Sequence, residues 1–125
     1  MSTFETHKEL YLKFKDDALK ENLYMGTRVE AYFLSLFHLI EACAALVRVH
    51  INKHQKVRFV LEEEEQIFDK DTELVWKSFQ KIENQLRPKF AYSVSGRNED
   101  LKEVELEYKK IERIALRKLE DAQRE

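Results

Sequence analysis

Between residues 29 and 49 the chain is apolar at nearly every position, and His38 and Glu41 are the polar groups set deepest into the run. A helix that is apolar all round has to be enclosed by neighbours. Polar groups enclosed with it must find hydrogen-bond partners, so His38 and Glu41 mark where fold and function meet. A later turn, Arg87-Pro-Lys-Phe-Ala-Tyr92, carries the groups best suited to meet them.

The rest of the 125 residues supports a helical frame around that rod. Two glycines and one proline leave little material for hairpins, and the abundance of Leu, Ala, Glu and Lys favours helix. The expected fold class is all-α, as one domain over residues 1–125 that buries about two thirds of its unfolded surface. With 22 basic and 24 acidic residues there is no global pull toward nucleic acid, so a charged partner must be met by a local patch. Cys43 is the single cysteine, which suits a reducing compartment. The first residues lack the plan of a secretory signal, and no uninterrupted apolar run is expected to reach bilayer-spanning length. A soluble, cytoplasmic chain without membrane contact is the expectation.

Five helical segments are predicted. Residues 3–22 place Leu10, Tyr11, Phe14, Ala18 and Leu19 on one face. Gly26 and Thr27 then read as a stop and a cap before the central helix, residues 29–50. A third segment, residues 52–68, has Val57, Phe59, Val60, Leu61 and Ile67 as apolar content and Glu62 to Glu65 as a solvated charge run. Asp69, Asp71 and Thr72 form a turn, after which Val75, Phe79, Ile82 and Leu86 make a seam. Pro88 is expected to end or kink this helix and push Arg87 out of helical geometry. A loop from Ser93 to Asn98 precedes a last helix, capped by Asn98, with Leu101, Val104, Tyr108, Ile111 and Ala115 facing inward. Short connections between long helices imply an up-and-down bundle with an extra short helix.

Helical rotation puts Glu30, Glu41 and Arg48 on one stripe of the central helix with His38 beside Glu41. Either the stripe lines a cleft, or Glu41 and Arg48 reach the rim while His38 is a satisfied core histidine. From Arg48 to Arg58 the chain carries Arg48, Lys53, Lys56 and Arg58 and no acid; Lys77, Lys81, Arg87 and Lys89 follow, opposed only by Glu83. Presented together these cations would attract phosphate, with Phe90 or Tyr92 to stack a base. The competing reading is an ordinary solvated surface. His50 and His54 are the only histidines at i+4 spacing and straddle a helix boundary, so no metal site and no cofactor are expected. No glycine-rich phosphate loop, nucleophile elbow or paired-cysteine motif is present.

The order Ala31-Tyr32-Phe33 and Phe37-His38, then His54, then Leu86-Arg87 through Ala91-Tyr92 resembles the HEPN domain (higher eukaryotes and prokaryotes nucleotide-binding), above all its small stand-alone prokaryotic members. In those, a Tyr-Tyr-x-x-Phe-His-like stretch precedes a Thr-His-like helix start and an Arg-x-x-Ala-x-Tyr-like turn. The resemblance implies a helical bundle that forms homodimers, with metal-independent ribonuclease or toxin activity in many members and a minimal nucleotidyltransferase as partner. The family motif is Arg, four to six residues, then His. Arg87 matches the Arg, whereas Tyr92, Ser93 and Val94 occupy the positions open to the His. An unperturbed phenol with a pKa near ~10 is a poor base at neutral pH. The resemblance therefore implies an RNA- or nucleotide-binding module, non-catalytic or weakly active, with Arg87, Tyr92, His38, Glu41, Lys53, His54, Lys56 and Arg58 as its ligand-binding candidates. One alternative is an endoribonuclease toxin that uses His38 or His54, with Arg87 and Tyr92, in place of the missing histidine. Another is a helical interaction protein without a ligand.

Overall fold

A computed structural model describes residues 3–124; Met1, Ser2 and Glu125, at the ends of the expected domain, lie outside the described residues. The described chain is all-helical, with no strand. Its order is α1 (Thr3–Ala18), α2 (Met25–Leu46), a 3-10 turn (His54–Lys56), α3 (Val57–Glu63), two more 3-10 turns (Glu65–Ile67 and Asp69–Asp71), α4 (Thr72–Lys81), a π turn (Ile82–Leu86), α5 (Pro88–Ala91) and α6 (Asn98–Arg124).

The rod at the centre is α2, against which α1, α5 and α6 pack. Val29, Phe33, Leu36, Leu39 and Ile40 on it are fully buried. By length and composition α2 alone among the described helices is apolar enough to cross a membrane, although Glu30, His38 and Glu41 interrupt it; 72% of its most apolar stretch is covered by the rest of the chain, as in a core helix.

Side-chain partners fix the helix directions. Arg28 Nε donates to the Ala18 carbonyl, Ser35 Oγ to the Tyr11 carbonyl, and His38 meets His7, so α1 and α2 run antiparallel. Tyr32 donates to Glu105, Ser35 pairs with Tyr108, and Cys43 reaches the Ala115 carbonyl, so α2 and α6 run parallel. Ser78 with Glu107 and Lys81 with Glu103 set α4 antiparallel to α6. The Ser35 hydroxyl gives its one proton to the Tyr11 carbonyl at 2.9 Å, so at 2.8 Å the Tyr108 hydroxyl donates to it.

Where α2 ends, the structure departs from the expected boundary at 50. Arg48 sits in the left-handed region with φ 63°; its N–H donates to the Ala45 carbonyl, and that of Val49 to the Ala44 carbonyl, each at 3.0 Å. That pair of bonds is a Schellman cap with arginine in the place usually taken by glycine. Arg48 therefore lies beyond α2 and leaves the stripe assigned to Glu30 and Glu41.

Other boundaries move for identifiable reasons. Helix α1 ends at Ala18, and Leu19 is exposed rather than inward. Gly26 lies inside the first turn of α2, not before it, with the Tyr24 ring folded over its Cα. The third segment divides into α3 with a 3-10 turn on either side, His54–Lys56 before it and Glu65–Ile67 after the break at Glu64, and Phe59 points to solvent. Pro88 does not displace Arg87, which stays helical at φ −56° and ψ −42°. The turn before it widens instead: the Arg87 N–H donates to the Ile82 carbonyl at 2.8 Å, an i to i−5 bond that gives the ring its room. Asn98 is the first residue of α6 rather than its cap; Asp100 accepts from the Arg97 N–H at 3.0 Å, the return half of a capping box. Gly96 is required, because a Cβ there would meet the Phe90 ring at 2.4 Å.

Two stability predictions follow from these devices. Replacing Arg48 by glycine removes the steric cost of the left-handed cap, so denaturant unfolding of Arg48→Gly should show a gain of about 0.5–1 kcal/mol. Glu107, buried on α6, accepts from Ser78 at 2.6 Å and Lys110 at 3.1 Å. Burial alone would push its carboxyl up, but the Ser78 hydroxyl and the Lys110 and Lys81 ammonium groups hold it below the usual range. The depressed acid contributes stability that is complete above the unfolded pKa and is lost as pH falls through the folded one. Glu107→Gln should cost about 1.5 kcal/mol at pH 7, and the difference from wild type should shrink in acid titrations below about pH 4.

Candidate functional site

All four histidines and Arg87 lie in one row along α2, joined by aromatic contacts. The Arg87 guanidinium carbon stands 4.8 Å above the centre of the Phe33 ring, and His54 meets the same ring edge-on at 5.0 Å. His54 also touches Phe37 at 6.1 Å, and Phe37 touches His38 at 5.5 Å. His38 stacks on His7 at 5.2 Å and, nearly parallel, on Phe14 at 5.8 Å; His50 closes the row, 6.4 Å from His7. Phe33 is itself stacked on Phe79 at 5.0 Å, so the middle of the row is anchored in the core.

At one end Arg87 makes a bidentate pair with Glu30 of α2, Nε to Oε1 at 2.8 Å and Nη2 to Oε2 at 3.0 Å. The hydrogen bonds to Glu30 push the guanidinium pKa up. They occupy two of its five N–H donors, which leaves three for a ligand. Beside it, His54 Nδ1 lies 2.6 Å from Glu83 Oε2. A carboxylate in that place fixes the imidazole and leaves Nε2 free.

At the other end Glu41 is buried, with His7 Nε2 at 2.7 Å from Oε2 and His50 Nδ1 at 4.0 Å from the same oxygen. The second nitrogen of His7 is 2.9 Å from His38 Nδ1. Close contact would favour an ionised pair, but burial opposes it. Burial pushes the Glu41 carboxyl up to about 7. It lowers His7, with His50 adding to the effect, and lowers His38 to about 4, with help from His7.

The predicted candidates are thus divided between the ends. Arg87 and His54 share a ring, with Lys53 and Lys56 exposed on the segment that carries His54, and Tyr92 exposed just beyond α5. His38 and Glu41 belong to the far end, about 16 Å along α2 from Glu30 to Glu41 at the helical rise per residue. They do not share one cleft with Arg87; Phe33, His54 and Phe37 lie between. Arg58 leaves the group, stacked 3.9 Å over Trp76 and paired with Glu62. The second basic cluster is neutralised in place: Lys77 pairs with Glu73, Lys81 with Glu103, and Lys89 with Asp100. Phe90, offered as a stacking platform, is buried against Gly96.

His50 and His54 do not act as a pair. His50 turns back to Glu41, while His54 turns to Glu83. His7 was absent from the candidates, although the register that sets Ala18 against Arg28 and Tyr11 against Ser35 carries His7 to His38. Comparison with protein-family models, with curated proteins and with solved structures returns no match.

Phe33 and Tyr92 should separate the floor of the site from its rim. Phe33→Ala removes a ring with no solvent exposure and should lower unfolding free energy by about 4 kcal/mol. Tyr92→Ala, at a residue 75% exposed, should stay within about 0.5 kcal/mol of wild type in the same denaturant titration.

Proposed function

We propose that the chain is a HEPN-like up-and-down four-helix bundle with a short extra helix, and that its Arg87–His54 end receives a phosphate of RNA or a nucleotide. The observation that carries this reading is the seating of a guanidinium and an imidazole on one buried ring, Phe33. An arginine with three donors left over suits a phosphate, two of whose oxygens can accept side by side from the planar guanidinium. Lys53 and Lys56 add charge on the neighbouring segment, and the exposed phenol of Tyr92 offers a base its face. Glu30 holds the guanidinium in position and competes with the ligand for it. That competition fits modest affinity. As the HEPN resemblance implies, the module acts as a homodimer beside a minimal nucleotidyltransferase.

A second reading, a metal-independent endoribonuclease, is favoured by the His54–Glu83 contact at 2.6 Å. Glu83 would orient the imidazole, His54 Nε2 would take a proton from the attacking hydroxyl, and Arg87 would steady charge on the scissile phosphate. His38 is the weaker choice for that role, because burial lowers it to about 4.

Fluorescence anisotropy with a labelled single-stranded RNA tests the binding. Arg87→Ala should bind about tenfold more weakly and lose about one from the salt slope. Glu30→Gln, which releases the guanidinium from a competing carboxylate, should bind more tightly. Equal affinity for wild type and both variants removes the reading. Incubation of the purified protein with structured RNA in chelator tests the enzyme: cleavage lost in His54→Ala supports it, and intact RNA with wild type at micromolar protein rejects it.

A further inference from the structure

The far end of the row holds a different chemistry. Three parts of the chain converge there: His7 from α1, Glu41 from the C-terminal part of α2, and His50 from the segment that follows the Schellman cap. Their ligand atoms, two imidazole nitrogens and a carboxylate oxygen, lie within 4.8 Å of one another. Among the described residues no other group of three or more His, Cys, Asp or Glu side chains comes together in this way. We propose that His7, Glu41 and His50 bind a divalent transition-metal ion of the zinc class, with a coordination position left open to solvent.

The donor set points to the ion. Two imidazoles and one carboxylate suit Zn²⁺, Co²⁺ or Ni²⁺, whereas Mg²⁺ and Ca²⁺ require a shell of oxygens. Three protein ligands with an open fourth position are the pattern of zinc sites that bind water or a substrate. Bonds of about 2.0–2.1 Å place tetrahedral ligands roughly 3.3 Å apart. The separations of 2.7 Å and 4.0 Å from the Glu41 oxygen bracket that edge, and with all three ligand atoms within 4.8 Å of one another the site closes on an ion by drawing the exposed His50 ring inward.

Charge and support agree with the donors. Glu41 is only 4% exposed, and the partners found for it are imidazoles, with no lysine or arginine in contact among the described residues. A buried carboxylate without a fixed cation is costly, and a divalent ion supplies the missing charge. Glu107 shows the other solution in the same protein, with two ammonium groups at its carboxylate. His7 directs Nε2 to the site while Nδ1 is held by His38, which is clamped in turn by the Phe14 ring. A hydrogen bond to the second nitrogen of a ligating imidazole is the usual orienting device at metal sites. His50, 58% exposed, leaves a path for the ion to enter.

The test uses the full chain without a polyhistidine tag, stripped by chelator and titrated with Co²⁺ alone. Wild type should take up one equivalent and show the intense visible bands of low-coordinate Co²⁺, which Zn²⁺ then bleaches. His50→Ala changes an exposed side chain beyond the end of α2, so it should fold normally and bind at least about tenfold more weakly. Zn²⁺ should raise the melting temperature of wild type and leave that of His50→Ala nearly unchanged. His38→Ala, which removes the support of His7, should weaken Co²⁺ binding without changing its stoichiometry. Absence of the visible bands and of any thermal shift in wild type overturns the proposal. So does undiminished binding in His50→Ala. RNA binding at Arg87 is read separately, so either result can fail alone.

Discussion

Enclosing α2 creates a demand that the rest of the molecule has to meet, because the polar groups buried on that rod have left water. Ser35 is met by the Tyr11 carbonyl and the Tyr108 hydroxyl, and Tyr32 by Glu105. No buried side-chain nitrogen or oxygen among the described residues is left without a partner. These bonds are directional, so they set the register of α1 and α6 on α2 where apolar packing alone would tolerate sliding. Glu41 is the carboxylate of the set whose partners are imidazoles rather than hydroxyls, carbonyls or fixed cations.

The aromatic row translates that register into a site. Rings in contact hold polar heads at fixed intervals, and two of the rings have a back wall: Phe79 behind Phe33, Phe14 behind His38. Groups positioned in this way have little further freedom to lose, which would favour the binding proposed at the two ends. The same row keeps the ends chemically distinct. One offers a guanidinium and a carboxylate-held imidazole, and the other offers imidazoles gathered around a buried acid.

Much of the frame was legible in the sequence. Val75, Phe79, Ile82 and Leu86 form a buried seam, Leu101 through Ala115 face inward on α6, and Glu62, Glu63 and Glu65 are solvated, all by periodicity and charge alone. What was not legible depends on tertiary choices. An arginine in a left-handed cap gives no sign of itself, since glycine or asparagine is the usual marker; the end of α2 and the return of His50 were therefore missed. Arg87 was identified as a functional candidate, but its partner Glu30 was placed only on a stripe, because a pairing between helices has no sequence period. His7 lay outside any motif and becomes visible only through the register of the helix hairpin.

The widened turn at Ile82–Leu86 carries one residue more than an α-helical turn needs. At 3.6 residues per turn, each position counts for about 100° of rotation. Shortening this stretch by a single residue would restore ordinary helix and swing the guanidinium by roughly that angle, off Phe33 and away from Glu30. Proline thus does more here than interrupt: the accommodation it imposes acts as an aiming device, converting a local backbone irregularity into the bearing of the Arg87 side chain.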